Sequence, residues 1–203
     1  MPELDHSAVW EASRPYLRAR KNDIHVPMAY EYARRLLEHH PEADAEVVLL
    51  AVLLHDNGWA VVDQDKIFSE GFGPNMMESD VRIAHEKEGA RIAREILGAL
   101  DYPDALIDAV VTIVDGHDTR AEPLDRNDEL VKDADALWRF TITATAVVSE
   151  WRGWTPDRYA RHVAAQIDRL FTDAAREIAT AELAETQRVL RFAELDDRKS
   201  APA

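Results

Sequence analysis

The chain contains no cysteine among its 203 residues, which excludes disulfides, thiolate metal sites and a cysteine nucleophile. Glycine and proline are sparse, at seven and nine residues. Apolar residues recur at steps of three and four instead of alternating, so no sheet of consequence is expected and the chain reads as all-α. Positive charge is also short: 24 Lys and Arg stand against 39 Asp and Glu, a net charge of −15. Duplex nucleic acid or an anionic membrane surface would be repelled by most of such a chain, so neither is an expected partner. The longest apolar run, Val47 to Leu54, falls far short of the roughly 20 residues that cross a bilayer. The start, Met1-Pro2-Glu3-Leu4-Asp5, has neither a basic segment nor an apolar one, and the expected location is the cytoplasm. A glycine-rich phosphate loop and a Gly-x-Ser-x-Gly elbow are both missing, which leaves nucleotide kinase and serine hydrolase chemistry without a foothold.

What is present suffices for a core. Apolar residues make up 46% of the chain, with five each of Trp, Tyr and Phe, so the acidity does not imply disorder. A mass of 23.0 kDa fits a single helical domain over 1–203. The pattern predicts helices near 6–20, 24–39, 44–56, 79–98, 104–117, 129–151 and 156–193, the last of which can be broken. Asp44, Ser79 and Asp104 are the expected N-caps. The stretch from Val61 to Glu78 lacks a helical period and is expected to be a lid or binding loop. A C-terminal helical extension is expected near 156–195 and a frayed tail over 196–203.

Histidines share the apolar phase of several helices. His25, Ala29, Tyr32 and Leu36 step along one face, as do His85, Gly89, Ile92 and Ile96, and Leu106, Val110, Ile113 and His117, so three imidazoles are expected to point inward. His55-Asp56 ends the run Val47–Leu54, which is apolar all round and therefore the expected central helix. On the sixth helix Val131, Asp135, Trp138 and Ile142 repeat the spacing, while Asp133 flanks the same stripe, and periodicity does not choose between the two carboxylates. A buried carboxylate costs several kcal/mol unless a cation meets it, and inward imidazoles each need a partner. One divalent metal satisfies both demands. Imidazole and carboxylate donors suit iron, manganese, nickel, cobalt or zinc and do not discriminate sharply among them; iron or manganese is the expected cofactor, with cobalt, nickel, magnesium or zinc as alternatives. His6, His39, His40 and His162 fall off the stripes and are expected at the surface. Trp59, Trp151 and Trp154 are expected to pack.

The ordered set His25, His55-Asp56 after a Leu-Leu run, and an aspartate in Val131-Lys132-Asp133-Ala134-Asp135-Ala136-Leu137 resembles the HD-domain superfamily of metal-dependent phosphohydrolases. The likeness covers about residues 20–145. It implies a compact multi-helix bundle with the metal site among the central helices, and its Ala-Asp-x-Leu context selects Asp135. His85 and His117 resemble the extra histidines of members that hold two ions. The resemblance therefore implies one ion on His25, His55, Asp56 and Asp135 and a second on Asp56, His85 and His117, with Asp56 bridging as the central catalytic residue. The implied activity is hydrolysis of a phosphoester or phosphoanhydride bond in a small phosphorylated molecule, nucleotides included, by metal-activated water. Alternatives from other classes are a mixed-valence di-iron oxygenase of the same ligand set and a regulatory module that binds metal or nucleotide without turnover. Cations for a phosphate are sought among Arg20, Lys21 and Lys66, then Lys87 and Arg120. The apolar positions of the last helix would also allow a homodimer.

Overall fold

The computed structural model describes residues 4–70 and 79–200, apart from the side chains of residues 68 and 192–200. The described residues contain helices and no strand. Residues 71–78 of the expected binding loop and 201–203 of the expected tail lie outside the described residues. No described helix is long and apolar enough to cross a membrane. Two compact units form, Met1–Asp135 and Ala136–Ala203; the division lies well before residue 156, where the sequence places the start of an extension.

In the first unit, α1 (Ser7–Ser13) gives way to a 3-10 turn at Arg14–Tyr16 with a proline in its first residues. The expected helix to residue 20 therefore ends early, because Pro15 cannot donate the next helical hydrogen bond. Arg20 and Lys21 follow with positive φ of 51° and 61°, a left-handed corner that β-carbon residues seldom adopt. This corner starts α2 (Asn22–His39). Next comes α3 (Ala45–Leu54), where Asp44 caps by accepting hydrogen bonds from the Glu46 and Val47 amides. Every residue from Val47 to Leu54 is buried, as an all-apolar helix requires, and α3 packs on α1, α2 and the later helices α5 and α6.

Within the expected loop, Gln64–Ser69 forms a short helix, α4, capped by Asp63. The long α5 (Asp80–Ala99) is capped by Ser79 as expected. For α6 (Asp104–Val114), Pro103 occupies the N-cap position and Asp104 is the first helical residue, so the expected Asp104 cap is corrected. That helix buries Ile107, Val110, Ile113 and Val114 and stops there. His117 thus comes from the following turn and not from the helical stripe expected of it. His6 is another correction: only 4% exposed, it bonds the Tyr30 hydroxyl at 2.8 Å and Glu46 at 3.2 Å.

The helix expected over 129–151 is two. After α7 (Arg126–Leu137) a 3-10 turn at Trp138–Phe140 leads to Thr141, which is extended and whose hydroxyl accepts from the Ala144 amide to start α8 (Ile142–Arg152). A threonine before two β-branched residues favours a cap over continued helix. Then α9 (Pro156–Ala164) begins on Thr155, and α10 (Asp173–Ser200) continues through residues expected to fray. In this second unit α8, α9 and α10 pack on one another, and the Thr186 hydroxyl donates to the Phe140 carbonyl at 2.9 Å. The guanidinium groups of Arg152 and Arg158 stand 5.1 and 4.3 Å from the centre of the Trp154 ring, with the His162 ring in edge contact.

Tyr159, 3% exposed, has its phenol pushed up to about 12 by burial, against the opposing pull of Arg139 and Arg152. Its folded value exceeds the unfolded one of about 10, so the stabilisation is complete below pH 10 and is lost as the pH rises toward 12. We expect alkaline unfolding to steepen across that window and Tyr159→Phe to flatten it by on the order of 2 kcal/mol. Equilibrium denaturation at a series of pH values checks this; identical alkaline slopes for the two proteins would contradict it.

Candidate metal centre

The His55-Asp56 turn follows the last residue of α3 and continues into a 3-10 segment at Asn57–Ala60 that lies directly on α5. Two glycines make this approach: a β-carbon on Gly58 would stand 1.9 Å from the His85 carbonyl oxygen, and one on Gly89 would stand 3.0 Å from that of His55. Without side chains at these positions the His-Asp turn and the His85 segment of α5 touch through their backbones.

Four imidazoles and their carboxylates meet here, all from the first unit. His25 Nε2 is 3.1 Å from His55 Nε2 and 3.1 Å from Asp135 Oδ1, and His55 Nε2 is 3.6 Å from that oxygen. Asp56 divides its two oxygens. Oδ2 stands 3.6 Å from both His25 and His55, while Oδ1 stands 3.6 Å from His117 and 3.9 Å from His85. The four histidines and Asp56 are all buried. Asp133, the alternative left open by periodicity, is fully buried on α7, and it is Asp135 that faces His25 and His55.

Neighbouring groups set the ring orientations. His55 Nδ1 donates to the Val52 carbonyl at 2.7 Å and His117 Nδ1 donates to that of Val114 at 2.9 Å, which turns each Nε2 toward the carboxylates. Trp59 is fully buried, stacks on His85 with centroids 3.8 Å apart, and donates from Nε1 to Asp56 Oδ1 at 2.9 Å. It is thus a packing residue that also holds the Asp56 carboxylate. Asn22 donates to the Asp56 carbonyl at 3.2 Å.

The turn that brings His117 is anchored from two sides. Glu86 of α5 accepts from the Asp118 and Thr119 amides, both at 2.8 Å, and from the Thr119 hydroxyl at 2.6 Å. The Lys132 ammonium of α7 donates to the carbonyls of Gly116, His117 and Arg120 at 3.0, 2.7 and 2.9 Å. Gly116, at φ +109°, supplies the backbone conformation that a β-carbon would strain.

Electrostatics follow from this crowding. Burial would raise the Asp56 carboxyl, yet His55, His117, Arg20 and His25 hold it well below the usual range. Burial also pushes His55 down, but Asp56, Asp135 and the Val52 carbonyl lift it to about 9. His117 is raised likewise, against burial, by Asp56 and Asp118. His85 falls to about 3, first through burial and then through His117 beside it, and so stays a neutral base. In the metal-free chain a proton on His55 therefore helps to balance the carboxylates.

Two donors about 2.1 Å from one ion and 90–110° apart stand roughly 3.0–3.4 Å from each other, and the closest donor pairs here match that spacing. Three overlapping groups, each with its ligand atoms within 4.8 Å of one another, have the composition to hold an ion: His25, His55 and Asp135; His55, Asp56 and His117; His85, His117 and Asp118. Neither ring nitrogen of His85 has a hydrogen-bond partner among the described residues, and a metal would relieve Nε2, the one that faces the carboxylates. The residues fit a metal.

The sequence signature of the HD domain matches residues 22–139, more than half of the chain. The chain belongs to the HD-domain family. The crystal structure of a predicted HD-superfamily hydrolase from an uncultured Thermotogales bacterium has the same fold, with a TM-score of 0.61 over 97% of this chain and 93% of that one, at 16% identity. No curated protein matches. Within the matched segment the His55-Asp56 pair lies at the centre of the cluster.

Of the cations sought in the sequence, Arg20 reaches this HD centre: its Nη1 is 3.6 Å from Asp56 Oδ2 and its guanidinium lies 4.3 Å over the Trp59 ring. Lys21 and Lys66 are exposed, Lys66 on α4 beside Glu70, and no ion pair among the described residues joins either to the carboxylates of the cluster. Lys87 is exposed as well. Arg120 is committed elsewhere, to Asp128 at 2.9 Å and to the Thr112 and Asp115 carbonyls. Sequence reasoning missed Arg82, Glu86, Asp118 and Lys132. Asp118 had a signal, since His117-Asp118 repeats the His-Asp pair of 55–56; Lys132 had none, since an isolated lysine reads as surface.

Proposed function

We propose that the protein is a metal-dependent hydrolase acting on a phosphoester or phosphoanhydride bond of a small molecule, with nucleotides among the substrates to screen first. The observation that carries this reading is the divided Asp56 carboxylate, one oxygen toward His25 and His55 and the other toward His85 and His117. His25, His55, Asp56 and Asp135 would hold one ion, and Asp56, His85 and His117 a second, with iron or manganese the first candidates. Bound there, the metal would supply a water acidified to near-neutral pKa and positive charge for a phosphoryl oxygen.

The chain's own residues would do the rest. Val52 and Val114 carbonyls fix the His55 and His117 rings, and the Trp59 indole holds Asp56 and closes the inner wall against water. Asp118 and Asp135 side chains are each 15% exposed and that of Arg20 is 12%, against 0 to 4% for the four histidines, so substrate enters on the side of these three. Arg20 is placed to receive an anionic oxygen there, which an acidic chain needs.

Metal analysis of protein purified without chelator, followed by phosphate-release screening with manganese, cobalt, iron or magnesium, tests the reading. We expect about two ions per chain, on the stoichiometry of the donor set, and released phosphate that disappears in EDTA. Oxygen consumption by the iron form without phosphate release would replace hydrolysis by the oxygenase alternative. A chain that binds no divalent metal after reconstitution would leave a binding module.

A further inference from the structure

His85 enters the centre with nothing to bond. Its ring is completely buried, both nitrogens lack a hydrogen-bond partner among the described residues, and its Nε2 lies nearer to Asp118 Oδ2, at 3.6 Å, than to Asp56 Oδ1, at 3.9 Å. Asp118 does not arrive there by chance of the loop. Its amide and that of Thr119 are pinned to Glu86, the residue next to His85 on α5, and the opposite side of the turn is pinned by Lys132. This double anchoring sends the Asp118 side chain toward the His85 ring, where it also pairs with Arg82 of the preceding turn of α5. One atom each from His85, His117 and Asp118 falls within a sphere that a single ion could serve.

We infer that Asp118 is a protein donor to the second ion, closing with His85 and His117 a site that the motif alone leaves with two imidazoles and one shared carboxylate. The inference rests on the metal reading above. A third carboxylate in the centre, beside Asp56 and Asp135, also balances the charge of two divalent ions more closely than two carboxylates do. Arg82 then has a second part: it holds the Asp118 carboxylate in place while competing for its charge, so the second ion binds more weakly than the first.

The rival explanation is that Asp118 serves only to anchor Arg82, and two substitutions separate the cases. Asp118→Asn keeps an acceptor for the arginine but removes the anionic donor, whereas Arg82→Gln removes the arginine and keeps the donor. Wild type, both variants and Asp118→Ala are titrated calorimetrically with Mn²⁺ alone, and bound manganese is counted after dialysis. For the Asp118 variants we expect one ion retained and the second bound at least about 100-fold more weakly, the retained ion showing that the fold persists. For Arg82→Gln we expect two ions, the second bound as tightly as in wild type or more so. Two ions of unaltered affinity in Asp118→Asn would overturn the inference, as would loss of the second ion in Arg82→Gln to the same degree as in Asp118→Asn. A wild-type chain that binds no manganese would overturn the metal reading itself, a result distinct from either.

Discussion

Asp56→Ala is expected to empty the centre: bound metal should fall from about two ions per chain to fewer than one, and turnover by roughly 10³-fold or more, because a single carboxylate serves both donor groups. The physical reason is that no neighbour can substitute. Asp135 lies on the side of His25 and His55, Asp118 lies on the side of His85, and Asp56 reaches both sets. The metal-free variant should also be less stable. The Asp56 carboxyl is held below its ordinary range despite burial by His55, His117, Arg20 and His25, so its contribution is present above about pH 4 and is lost as the pH falls through the depressed folded value. Removing it leaves Arg20 and the raised histidines without their shared anion, a loss on the order of 3 kcal/mol at neutral pH. Elemental analysis and denaturation of the apo proteins measure the two effects separately. A variant with full metal and full turnover would remove Asp56 from the centre.

Gly58→Ala should be nearly as damaging although it deletes nothing. The added methyl would sit 1.9 Å from the His85 carbonyl oxygen, 2.6 Å from the Gly89 nitrogen and 2.8 Å from the His85 carbonyl carbon. All three are backbone atoms of α5, which cannot swing aside as a side-chain tip does, so the 55–60 segment and α5 must separate. We expect a loss of about 3 kcal/mol or more, and a melting temperature lower by about 6–12 °C for a chain of this size. Separation also draws Asp56 and Trp59 away from His85, so the second ion should be lost before the first. Gly98→Ala is the control, since nothing lies within 4 Å of a β-carbon there and alanine favours helix. Equal melting temperatures for Gly58→Ala and wild type would show that the two backbones yield more easily than their spacing implies.

Much of this was legible in one dimension. The run Val47–Leu54 has no polar side, so α3 had to be the buried centre, and His55-Asp56 had to end it inside the protein. The inward phase of His25 and His85 likewise followed from helical periodicity. His117 shows where that logic stops: it lies at the right interval from Ile113, yet α6 ends at Val114 and a glycine with positive φ turns the chain. The sequence placed this histidine inward for a reason the structure does not use.

By itself, then, the sequence determined the all-helical class, the buried central helix and the identity of the histidines and of the Asp56 carboxylate, because apolar periodicity and the cost of burying charge act locally along the chain. Only the tertiary structure decided which oxygen of Asp56 meets which histidine, that Arg20 and not Lys21 or Lys66 stands beside it, and that Asp118 joins the cluster under the hold of Glu86 and Lys132. Those outcomes depend on how segments tens of residues apart approach one another, as where Gly58 meets α5, and no spacing along a single helix carries that information.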